Sequence, residues 1–260
     1  MDIITSLKND KVKLTNGLQT RARTRRKERK IVLEGTRLIR DALERGHKPV
    51  FVLFEPSTVD PDLLVDMQED RLDLQAVNRE VMAYISDTEQ SQGVTAVFPM
   101  PFPPLPRAPQ RVLILDNVRD PGNVGGTLRT AAAAGVHVVV LSPGCADPYN
   151  PKTLRAGMGA HFRVPVAEAS WEEIGAYCER LDVYLADGSG QTDYATADFT
   201  RPWALVIGNE ANGIGPEAQA LNGTAVRIPM AAATESLNAG VAAGVILFEA
   251  ARQARLASKR

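Results

Sequence analysis

The chain has 260 residues, enough for a full core and, at the usual ~100–200 residues per domain, for two domains. Its 44% hydrophobic and 23% charged residues exclude a disordered or fibrous protein, and no apolar run reaches the ~20 residues that span a bilayer. The net charge of −1 hides an asymmetry: residues 1–30 carry ten Lys or Arg against Asp2, Asp10 and Glu28, a segment charge of +7, so the other 230 residues sum to −8.

The opening "MDIITSLKND" has neither the basic start nor the long apolar stretch of a secretory signal, so a cytoplasmic address is expected. The block "TRARTRRKERK" reads either as a solvated helix face or as a phosphate-contacting patch. Its confinement to one end of an otherwise acidic chain favours nucleic acid. Next come strand-like "KIVLEG", a helix over 36–45, strand-like "PVFVLFE" and "LDLQAV", helical "NREVMAYIS" and strand-like "GVTAVF". In the 36–45 helix Leu38, Ile39, Ala42 and Leu43 form one apolar stripe, and Gly46 stops it. These alternating elements predict a small α/β/α domain over residues 1–98.

"PMPFPPLPRAPQ", residues 99–110, holds six prolines and reads as a stiff extended linker. Beyond it, in a second domain over 111–260, near-continuous apolar strands are expected at 112–115, 136–141, 162–166, 183–186, 203–207 and 225–228. Helices are expected near 124–134, 151–158, 171–181, 216–221 and 236–257. A mostly parallel sheet with helices on both faces follows, and in such sheets ligands sit beyond the carboxyl ends of the strands.

Three polar, glycine-bearing loops occupy those ends. "DNVRDPGNVGGTLRTAAAAG" is neither a dinucleotide fingerprint nor a Walker loop, yet it leads a tight turn into a helix N-terminus. Its Asn123 either caps that helix or presents an amide to a ligand, and Arg129 is either a surface residue or part of the site. "GNEANGIGPEA" brings Glu210 to a strand end among Gly208, Gly213 and Gly215. In the third loop Ser236 and Asn238 precede a helix of small residues, including Gly240 and Gly244, suited to close packing within the chain or across a dimer. Cys145 and Cys178 form no CxxC and no zinc pattern and read as idle thiols; His137 and His161 read as structural.

Together with "NPKTLRAGMGAHFRVPV", "IVLEGTRLIRDAL" and "SDTEQSQGVTAVF", these three ordered motifs resemble the SpoU (TrmH) group of RNA ribose 2′-O-methyltransferases, of the SPOUT class, with an N-terminal substrate-binding domain. The resemblance covers nearly the whole chain. It implies a trefoil knot at the C-terminal end, which nothing in periodicity shows and the rarity of knots opposes. It further implies a homodimer through the C-terminal domain, no metal, and S-adenosylmethionine held by Ile207, Gly208, Ile228, Met230 and Leu237. Asn123, Arg129, Glu210, Ser236 and Asn238 fall on the family's catalytic positions. Arg21, Arg23, Arg25, Arg26, Lys27 and Arg155 become candidate RNA contacts. By analogy ribosomal RNA is preferred to transfer RNA. The alternatives are a transfer-RNA enzyme, a non-catalytic RNA-binding protein of the same fold, and a Rossmann oxidoreductase, the last weakened by the missing fingerprint.

Overall fold

A computed structural model of the chain describes residues 2–102, 104–209, 211–231 and 237–258. Two compact units form: Met1–Pro101 with Tyr149–Phe162, and Phe102–Pro148 with Arg163–Arg260.

The first unit runs α1 (Asp10–Thr20), α2 (Ala22–Glu28), β1 (Lys30–Glu34), α3 (Thr36–Glu44), β2 (Phe51–Phe54), α4 (Pro61–Glu69), β3 (Leu74–Ala76), α5 (Arg79–Ile85) and β4 (Val94–Pro99). Its sheet has the order β1-β4-β2-β3, antiparallel except for β2 with β3. Strand side chains alternate between faces. Ile31 and Leu33 of β1 accordingly join a core with Leu38 and Ile39 of α3 and Leu63 and Met67 of α4. Val32 points the other way, into a core with Val12 and Leu18 of α1 and Val81 and Ile85 of α5. The result is the α/β/α layering expected. Sequence reading did not find α4, whose Asp60 cap and Pro61 start are the ordinary signals of a helix N-terminus.

The second unit contains β5 (Arg111–Leu115), α6 (Pro121–Ala134) and β6 (Val138–Leu141). After α7 (Pro151–Gly157), which belongs to the first unit, come β7 (Val166–Glu168), α8 (Trp171–Cys178), β8 (Asp182–Ala186), β9 (Thr192–Asp193), β10 (Trp203–Ile207), α9 (Pro216–Gln219), β11 (Thr224–Arg227) and α10 (Ala239–Ala257). Seven strands pair in the order β7-β6-β5-β10-β8-β11-β9, all parallel. One face buries Val112, Ile114, Val206 and Leu185 against Ile174 and Cys178 of α8 and Ala218 of α9. The small residues of α10 meet α6 within the chain. A Cβ added at Gly240 would stand 3.4 Å from Thr127 Oγ1, and one at Gly244 would stand 3.6 Å from Thr130 Cγ2.

The expected strand at 162–166 begins later, at Val166. Pro165 lacks an N–H and only its carbonyl joins the sheet, accepting from Val139 N at 2.9 Å. Residues 160–162 form a 3-10 turn, and Phe162 packs on the first unit's core. The path from β11 to α10, on which the implied knot depends, includes residues 232–236, outside the described residues. Among the described residues no helix is long and apolar enough to cross a membrane.

The segment 149–162 is tied to the first unit chiefly by Leu154, 2% exposed in that unit's core. Leu154→Ala should cost ~2–5 kcal/mol of stability by urea unfolding. Faster amide exchange should appear in β1 and β4, not in β5 or β10.

Candidate functional site

Register sets the site. Leu141, Leu115, Ile207, Ala186 and Val226 are partners across β6, β5, β10, β8 and β11; the first four strands end there and β11 one residue later, so their loops emerge side by side. Residues from three of those loops and from the start of α10 enclose a cavity of about 570 Å³. Ile207, Gly208, Ile228, Met230 and Leu237, the five residues singled out in the sequence for a cofactor, all line it. Ile214, Val226 and Ile246 add apolar wall, while Asp187, Asn209, Asn212 and Gln219 add polar atoms.

Gly208 is a close approach. A Cβ there would lie 2.3 Å from Gly213 O, a backbone atom that cannot swing away. The loop folds back because Asn209 N donates to Gly213 O at 2.9 Å and Gly213 N to Asn209 O at 2.8 Å, with Gly213 at φ 65°.

The helix after β5 starts earlier than read. Pro121 is its first residue and Asp120 its cap, accepting from Asn123 N at 2.8 Å, so Gly122, Gly125 and Gly126 are helical. Asn123 therefore does not cap, and its Oδ1 instead accepts from Asn238 Nδ2 at 2.8 Å. Asn238 does cap α10: its Oδ1 accepts from Gly240 N at 2.9 Å and from Val241 N at 3.3 Å. The same side chain thus starts one helix and reaches the other. Leu237 and Ala239, on either side of it, line the cavity. Arg129 lies six residues beyond Asn123, about 9 Å along α6. It is exposed and has no ion pair or hydrogen bond among the described residues. Glu210 and Ser236 lie outside the described residues.

Three residues not singled out by sequence hold the loops together. Asp116, 5% exposed, accepts from Gly215 N at 2.7 Å through Oδ2. Asn117 N donates to Ser142 Oγ at 3.0 Å, and Asn209 Nδ2 donates to Asn117 O at 2.8 Å. Each bond joins segments distant in sequence, so only their polar type and place at a strand end hinted at a role.

Of the cationic set, Arg21, Arg23, Arg26 and Lys27 are exposed. Arg25 is corrected: it is 3% exposed and donates to Leu18 O at 2.7 Å and Gln19 O at 3.3 Å, so it holds α1 against α2 instead of facing solvent. Arg155 pairs with Asp87 in the first unit. His137 Nε2 lies 2.8 Å from Arg111 Nη2, and His161 is buried in the first unit beside the Tyr149 ring. Burial raises both thiols, Cys178 to about 11, so neither is a thiolate at neutral pH. Among the described residues no His, Cys, Asp or Glu cluster could hold a metal ion.

Comparison with known proteins agrees with this layout. The SpoU rRNA Methylase family matches residues 110–248, and the MRM3-like substrate binding domain matches residues 9–96. The 23S rRNA (guanosine(2553)-2'-O)-methyltransferase RlmP of Bacillus subtilis is 34% identical over 95% of this chain and 98% of its own length. The mitochondrial rRNA methyltransferase 3 of Mus musculus is also 34% identical, over 89% of this chain and 69% of its own. Among solved structures, the AdoMet-bound rRNA methyltransferase from Sinorhizobium meliloti superposes with a TM-score of 0.82 at 32% identity, covering 96% of this chain and 97% of that one.

Burial holds the Asp116 carboxyl above the ordinary carboxylate range, and the Gly215 N–H offsets only part of this. With the folded pKa above the unfolded one, the group's contribution to stability is complete below the unfolded value and is lost as pH rises through the folded value. Asp116→Asn keeps an acceptor for Gly215 and removes that loss. Melts across roughly pH 4–8 should show the variant gaining on the parent as pH rises. Asp116→Ala strands the Gly215 N–H and should cost ~1–3 kcal/mol.

Proposed function

Because the chain belongs to the SpoU rRNA methylase family, we propose that it transfers a methyl group from S-adenosylmethionine to a ribose 2′-hydroxyl of ribosomal RNA. One observation carries this reading: all five residues expected to hold the cofactor line a single cavity, and the Asn123–Asn238 bond stands where that cavity meets α10.

The residues present fit the group. The cavity, about 570 Å³, lies in the ~300–1,000 Å³ range of small-molecule sites. Ile207, Ile214 and Ile246 suit a flat ring, and Asp187 and Asn212 suit hydroxyl and ammonium groups. Gly208, which a Cβ would force against Gly213, allows main chain to form the wall.

When bound, S-adenosylmethionine supplies a methyl already activated by a positive sulfur, so no metal is required. What falls to the chain is to orient the sugar oxygen and stabilise the charge that develops on it. Asn123 and Asn238, held to one another, orient the ribose, with Ser236 as a third hydroxyl-bearing partner. Arg129 is a poor base, because a guanidinium does not give up its proton in proteins. Exposed to solvent, it binds the neighbouring phosphate and stabilises the nascent alkoxide. Glu210 fixes the loop geometry or positions Arg129.

The first unit supplies RNA contacts through Arg21, Arg23, Arg26 and Lys27, in keeping with its match to a substrate binding domain. A homodimer forms through α10, whose outer residues Val241, Phe248 and Leu256 are 52%, 49% and 52% exposed. A cytoplasmic address belongs to the same reading.

Ribose-methylation mapping of ribosomal RNA from cells with and without the gene should show one 2′-O-methyl mark lost; loss of a base methyl would contradict the proposal. In vitro, Arg129→Ala should lower kcat by ~10²–10³-fold and leave S-adenosylmethionine affinity unchanged by calorimetry. Arg129→Lys should not restore turnover, since an ammonium lacks the planar fork.

A further inference from the structure

We propose that Asn209 is the positioning residue of the cofactor wall, its side-chain amide clasping the loop after β10 to the turn after β5. The inference rests on the reading of the cavity as the S-adenosylmethionine site. Gly208, Asn209, Ala211, Asn212, Gly213 and Ile214 of that loop all line the cavity, so where the loop stands sets the shape of the wall. Its position must come from what ties it down.

The two ends of the Asn209 amide do different work. Oδ1 accepts from Ala211 N at 2.9 Å and Asn212 N at 3.2 Å, an Asx turn that shapes the loop from within. Nδ2 reaches 92 residues away in sequence to donate to Asn117 O at 2.8 Å. Asn117 is set to receive it. Its left-handed backbone, φ 53°, is one that Asn tolerates. Its N–H is committed to Ser142 Oγ at 3.0 Å and its Oδ1 to Arg119 Nε at 3.0 Å, leaving the carbonyl for Asn209. Space is tight on the other side, because a Cβ at Gly144 would come 2.5 Å from Asn117 Oδ1.

The far end of the loop is fastened to the next residue of the same turn, Gly215 N donating to Asp116 Oδ2 at 2.7 Å. Both ends of the wall therefore hang on residues 116 and 117. Asn209 lines the cavity, yet its oxygen is fully engaged in the turn. Its assigned effect is on where Gly208 and Ile214 stand, not on the reacting atoms.

Two variants separate the tether from the turn. Asn209→Asp keeps the oxygen that shapes the loop and removes the donor to Asn117. Asn209→Ser does the same without a new charge: its hydroxyl can still accept from the following N–H groups but is too short to reach Asn117 O. Each full-length variant is titrated with S-adenosylmethionine by calorimetry, melted, tested for RNA binding, and assayed at saturating S-adenosylmethionine. Losing this half-buried tether predicts S-adenosylmethionine affinity about tenfold weaker in both, KM for it raised to match, kcat at saturation within about threefold, and RNA affinity unchanged. Unchanged S-adenosylmethionine affinity in Asn209→Ser overturns the proposal. So does a fall in kcat alone, or a loss of RNA affinity in step with a large drop in Tm. If the parent protein itself binds no S-adenosylmethionine, the reading of the cavity fails; if the parent binds and Asn209→Ser binds equally, only the clasp fails.

Discussion

Parallel register is the constraint from which the site follows. Leu115, Ile207 and Ala186 finish level, and β11 ends one residue past their partner Val226, because β5, β10, β8 and β11 are paired in that order. A slip of one residue in β10 would turn Ile207 to the opposite face and carry Gly208 away from the cavity. The apolar runs that build these strands are thus also what bring three separate loops to one place. The near-complete burial of β5 and β10 makes their register costly to change.

On that platform, polar side chains join pieces of chain that the sheet only brings near. Asn238 caps α10 and at the same time bonds to Asn123 on α6. Its reach depends on how closely the two helices approach, which the absence of a side chain at Gly240 permits. Asp116 and Asn117 act likewise on the loop after β10. Each of these bonds pairs a side chain with main chain or with another short amide. Short side chains carry little rotamer freedom, so the geometry they impose is definite.

How much was legible follows from the range of the signal. Continuous apolar runs such as "WALVI" and "VLIL" mark buried parallel strands locally, and β5 and β10 lie where they were read. That Ile207, Gly208, Ile228, Met230 and Leu237 share one cavity was legible only because three motifs occur in order, a pattern longer than any one loop. Side chains that act at a distance were not. Arg25 looks like its neighbours in a basic block, and only the packing of α1 beside α2 turns it inward to carbonyls. Asn123 sits where a cap is expected, but Asp120 takes that position and frees it. Asn209 stands beside the conspicuous Glu210, and its bond to Asn117 exists only once β5 and β10 are paired. The strand expected at 162–166 misled because an apolar run was also serving the first unit's core.

The central claim is that the loops at the ends of these strands hold a methyl donor in the cavity they enclose with the start of α10. Amide hydrogen exchange of the full-length protein with and without S-adenosylmethionine tests it most directly. The account predicts slowed exchange confined to residues 207–215, 228–231 and 237–246, with the first unit unchanged. Protection that falls instead on the first unit, or is absent from 207–215 while the donor is bound, would contradict it.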